Sequence, residues 1–131
     1  MATKLAHISY VVDDYDRAIE YFTQVLEFQL IEDLDMGVGK RWVLVAPYGQ
    51  SGCSFLLAKA QGSRQISAIG NQFGGRVGLF LETEDFANDY AKLKQNGVNF
   101  TEAPRHEKYG VVVVFEDIYG TRWDLIEYAK N

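Results

Sequence analysis

One strand-and-helix phrase occurs twice in this chain. Residues 5–14 (LAHISYVVDD) run into a helix-like stretch at 15–26, and residues 75–83 (GRVGLFLET) run into another at 86–93. Each half continues through β-branched and aromatic segments: 41–45 and 54–57 in the first, 111–115 and 123–126 in the second. Corresponding points keep nearly constant separation, 69 between His7 and Arg76 and 70 between Ser54 and Asp124. A period this long implies two copies of one structural unit and excludes a solenoid. The copies span 4–60 and 75–129. The glycine-rich stretch at about 61–74, poor in large apolar residues, is the expected linker.

Alternation assigns the faces of the first strand of each copy. Ala6, Ile8, Tyr10 and Val12 form one row and His7, Ser9 and Val11 the other, the period-two signature of a strand. In the second copy Val77, Leu79 and Leu81 form the helix-facing row, and Arg76, Gly78 and Phe80 face away from it. That parity sets Arg76 as the counterpart of His7. The first helix is expected over 14–26, capped by Asp13 or Asp14, with Tyr15, Ala18, Ile19, Phe22, Val25 and Leu26 on its buried stripe. The second is expected over 84–96, with Thr83 as its cap and Asn96-Gly97 as a left-handed stop. Strands near 28–34 and 98–102, and turns at 47–52 and 117–121, complete two β-α-β-β-β units. The expected class is α+β: a single domain, 1–131, whose tandem units form a cupped, mainly antiparallel sheet with helices outside.

Composition narrows the function classes. With 131 residues and 47% hydrophobic content the chain can bury one proper core. Eighteen acidic against 13 basic residues, net −5, give no footprint for nucleic acid or an anionic membrane surface. No apolar run approaches the roughly 20 residues of a spanning helix. The lone Cys53 cannot form an intramolecular disulfide and lacks a basic neighbour to activate it. A reducing, cytoplasmic setting is the expectation.

Two consecutive β-α-β-β-β units, opening on Leu5-x-His7-Ile8-x-Tyr10-Val11-Val12-Asp13-Asp14 and closing on Asp117-x-Tyr119-Gly120-Thr121-x-Trp123-Asp124-Leu125, resemble the vicinal oxygen chelate superfamily. That group includes glyoxalase I, extradiol dioxygenases, fosfomycin-resistance transferases and bleomycin-binding proteins. The resemblance covers almost the whole chain and implies a cup that typically holds a divalent metal on one side chain from the first and last strands of each unit. It also implies homodimers. The corresponding positions here are His7, Ser54, Arg76 and Asp124. His7 and Asp124 are suitable donors for Zn, Ni, Mn or Fe, but a serine hydroxyl is a weak ligand and a guanidinium cannot coordinate.

Two uses of the cup therefore stand. In one, Arg76 pairs with Asp124 in the metal's place, or anchors an anionic group, with His7 beside it; Trp42 and Phe80 supply an aromatic wall. The protein then holds a small anionic or aromatic molecule without a metal cofactor. In the other, it is a metal-dependent glyoxalase-like lyase or a related enzyme of the superfamily, with His7 and Asp124 among the ligands. Structural ion pairs imitate such sites, so the same three residues also fit a purely architectural role. His106, in the charged run Arg105-His106-Glu107-Lys108, is a further acid/base candidate on an expected rim loop.

Overall fold

A computed structural model of the chain describes residues 1–49 and 52–130. They fall into two compact units, Met1–Ile69 and Gly70–Asn131. The first contains β1 (His7–Val12), α1 (Tyr15–Glu20), β2 (Gln29–Asp35), β3 (Arg41–Ala46), β4 (Ser54–Lys59) and α2 (Gly62–Ala68). The second contains β5 (Val77–Glu82), α3 (Phe86–Gln95), β6 (Asn99–Phe100), β7 (Arg105–Glu107), β8 (Gly110–Glu116) and β9 (Arg122–Tyr128). Of the turn expected at 47–52, Gln50 and Ser51 lie outside the described residues.

Each unit carries one sheet, ordered β1-β4-β3-β2 in the first and β5-β9-β8-β6 in the second, with β7 also on β8. The first strand of each unit lies parallel to the last, and the remaining neighbours are antiparallel. Both units thus follow the β-α-β-β-β repeat that the sequence announced, the second with the short strand β7 added.

In the first unit Tyr10 and Val12 are buried as the alternation required. Tyr10 stacks on Phe55 at 5.3 Å and meets Phe22 edge-on at 5.5 Å. Burial of each such side chain contributes roughly 1.5–3 kcal/mol. Asp14 caps α1, its carboxylate accepting the Arg17 N–H at 2.8 Å, while Asp13 pairs with the Arg17 guanidinium. The helix expected to run to residue 26 changes at Tyr21–Val25 into a π-helical turn. There the Thr23 hydroxyl donates to the Ile19 carbonyl at 2.7 Å, and the Leu26 N–H reaches back five residues to Tyr21. Such local competition loosens the α ladder. It also leaves Tyr21, Phe22 and Leu26 all buried.

The second core is an aromatic chain from helix to sheet: Phe86–Tyr90, Tyr90–Phe100, Phe100–Phe115 and Phe115–Trp123, with centroids 4.7–5.7 Å apart. Asp85, not the expected Thr83, caps α3 by accepting the Asn88 N–H. Thr83 instead accepts the Asp85 N–H and donates to Asp89.

The stretch expected to join the units contains α2, a helix with no buried residue, so no apolar stripe announced it. One further expectation is corrected. Residues 105–107, expected as a rim loop, form the short strand β7 at the sheet margin.

Candidate functional site

The face of each sheet turned away from α1 or α3 carries His7, Trp42 and Ser54 in the first unit and Phe80 and Asp124 in the second. In the first unit His7 and Ser54 are register partners on β1 and β4, as the repeat implied. The imidazole Nδ1 lies 2.8 Å from the Ser54 hydroxyl, and Ser54 is buried. Trp42 meets the His7 ring edge-on at 5.8 Å and donates its indole N–H to Glu32 at 3.2 Å. Glu32, which the sequence reading passed over, thus fixes the orientation of a site aromatic. Its signal was the register of the β2–β3 hairpin, which a sequence without pairing information does not expose. Arg41, next to Trp42, points to the helix side, where it pairs with Asp16 and Asp33 and lies over the Tyr15 ring. Those two carboxylates raise its pKa further above the ordinary arginine value.

In the second unit Asp124 stands between Phe80 on β5 and Val114 on β8. Its neighbour Trp123 faces the helix, so strand alternation turns Asp124 to the opposite face. Phe80 is 61% exposed. One row along, Ile126, Val112 and Arg105 are in register on the same face, and the two apolar members are buried. Behind Phe80 the ring of Phe73 occupies the space a side chain at Gly78 would need.

The expected ion pair between Arg76 and Asp124 is not formed among the described residues. Arg76 is exposed and precedes β5, which begins at Val77. A bulge at the start of this pairing sets Val77 opposite Arg122 and Leu79 opposite Trp123, so Asp124 meets Phe80, four residues past Arg76. At roughly 3.3 Å per residue, Arg76 lies about 13 Å from the Asp124 level along the strand direction. The charges that act on Asp124 are Arg105 and Glu102. Burial is the chief cause that raises its pKa, Glu102 adds to it, and Arg105 opposes both.

The Arg105 guanidinium is itself engaged. Its Nε donates to Glu102 at 2.9 Å and its Nη1 to Glu107 at 3.2 Å. The Glu102 oxygen that receives Arg105 also accepts the Val114 N–H at 3.1 Å, filling the gap between β6 and β7 on the margin of β8. Asp124 receives none of these bonds: its Oδ1 is buried and has no hydrogen-bond partner. His106 pairs with Val111, which pairs with Glu127, and Glu127 accepts the Phe86 N–H at the start of α3. His106 therefore belongs to the helix side, away from Asp124.

The closing phrase of the chain is architectural. Asp117, buried, accepts the Tyr119 and Thr121 N–H groups on one oxygen and the Trp123 indole N–H on the other. Gly120 takes the left-handed turn at φ 88°. The motif sets the β8–β9 hairpin and thereby aims Asp124.

The four metal-ligand positions hold an imidazole, a hydroxyl, a guanidinium and a carboxylate. Among the described residues no three His, Cys, Asp or Glu side chains converge as a metal site. In the first unit Ser54 is hydrogen-bonded to the imidazole beside it, and in the second the guanidinium cannot bind a cation. This donor set does not fit the standard mononuclear centre.

The chain belongs to the Glyoxalase/Bleomycin resistance protein/Dioxygenase superfamily, whose model matches residues 4–125. An uncharacterized protein of Shewanella frigidimarina (strain NCIMB 400) is 48% identical over 128 residues, covering 97% of this chain and 95% of that protein. Among solved structures, TnmS3, an antibiotic binding protein from Streptomyces sp. CB03234, is 27% identical with a TM-score of 0.77, covering 98% of this chain and 99% of that one. UcmS2 is 26% identical with a TM-score of 0.83, covering 96% and 98%.

Proposed function

We propose that this protein holds a small aromatic molecule, in the manner of a drug-sequestering protein, and does so without the superfamily's standard metal. The observation that carries this reading is the make-up of the two helix-free sheet faces. They offer an exposed Phe80 and the Trp42–His7 pair, but only His7 and Asp124 as metal donors in the four expected positions. The likeness to TnmS3 supports binding as the activity. Arg76, exposed before β5, is available to an anionic substituent. A metal-dependent glyoxalase-like lyase would need its missing ligands from water or another chain.

Anilinonaphthalene sulfonate, an aromatic anion, is a direct probe. Its fluorescence should rise saturably, and Phe80→Ala should weaken binding by about fivefold or more, the scale of a lost aromatic contact. Non-saturating fluorescence indifferent to that substitution would contradict the reading.

A further inference from the structure

We infer that Asp124 is the hydrogen-bond acceptor for a hydroxyl on the bound aromatic molecule, whose ring lies against Phe80. This rests on the binding reading above and names the chemistry its ligand must carry.

Three observations converge on it. First, Asp124 and Phe80 are register partners on adjacent parallel strands, so they share one face at neighbouring positions. A ring on Phe80 brings its substituents within reach of the carboxylate. Second, the donors around Asp124 make the bonds shown for them elsewhere, and none reaches its Oδ1. Arg105 serves Glu102 and Glu107, the Val114 N–H serves Glu102, and the Trp123 indole serves Asp117. The Asp124 Oδ1 is left buried without a partner, although the residue as a whole keeps part of its surface in solvent. Third, an unpaired acid at such a place costs stability, and groups that burden a fold in this way concentrate where function needs them. At the part of Asp124 that faces solvent, a ligand hydroxyl supplies a donor that the protein does not. An anionic group at the same point would meet the charges of Asp124 and Glu102 together.

The comparison of naphthol with methoxynaphthalene isolates the hydroxyl, because the rings are the same and only one can donate. Calorimetric titration of the full chain should give naphthol about tenfold tighter binding than methoxynaphthalene, in line with a hydrogen bond to a charged acceptor. In Asp124→Ala the two should bind within about twofold of each other, and in Phe80→Ala both should weaken together while the preference for naphthol remains. Circular dichroism of each variant guards against loss of fold, and Asp124→Asn, which keeps an acceptor oxygen and the shape, should retain part of the preference. Equal binding of the two probes to the wild type, or a preference that survives in Asp124→Ala, would overturn the inference while leaving the binding reading intact. Absence of binding by naphthol, methoxynaphthalene and anilinonaphthalene sulfonate alike would overturn both.

Discussion

Asp124 shows how one side chain can weaken a fold that it equips for binding. Burial raises its pKa above the ordinary 3.8, so the folded chain retains a proton that the unfolded chain loses first. The associated stability is fully present below about pH 3.8 and declines as pH rises through the folded value. Arg105 opposes the shift and Glu102 reinforces it. Asp124→Asn should remove this decline and make the protein more stable at neutral pH, by on the order of 1 kcal/mol. Urea unfolding across pH 3 to 8 measures it; a variant less stable than wild type at neutral pH would show that the carboxylate is satisfied in solution. Asp117 is the opposite case, an acid whose oxygens accept three bonds. Asp117→Ala should cost on the order of 3 kcal/mol, because the donors it leaves are buried or nearly so. The sequence displayed both acids in one short phrase but gave no means of telling them apart, since burial and bond count depend on the hairpin being closed.

At the level of elements, the long repeat carried most of what was legible. Strand alternation placed Tyr10 and Val12 inward and Phe80 outward, because each strand obeys a period of two. What escaped was whatever breaks periodicity. The bulge at the start of β5 shifts the partner of Asp124 by one residue to Phe80, and β5 itself begins only after Arg76, neither of which constant repeat spacing reveals. The helix α2 has no buried residue to form an apolar stripe, and the π-helical turn keeps apolar residues on the stripe that an α-helix would also bury, so neither stands out in the sequence. One element also holds local strain. At the tip of the β2–β3 hairpin, Val38 is fully exposed at φ 55°, a left-handed conformation that a β-branched residue adopts at a cost. Val38→Gly should stabilise the protein by about 1 kcal/mol, relieving that strain with no buried contact to lose. A fall in the urea midpoint would mean that Val38 is covered in solution.

For the whole molecule, the strand β2 bears on assembly. It is the edge of its sheet, all seven of its residues are exposed, and Leu30, Ile31 and Leu34 are among them. An open apolar edge invites pairing with another chain. We propose a homodimer, and sedimentation at about 20 micromolar should report close to twice the 14.8 kDa chain mass. A monomer at that concentration would count against it.

Binding without a metal is tested most directly by calorimetric titration of naphthol into the full chain before and after exhaustive chelation. One saturable site whose affinity is unchanged by the chelator is the expected result, with Asp124 supplying the acceptor and Phe80 the ring contact. Binding that vanishes on chelation, returns with Zn, Ni, Mn or Fe(II), and is lost in both His7→Ala and Asp124→Ala would contradict it and favour the metal-dependent enzyme.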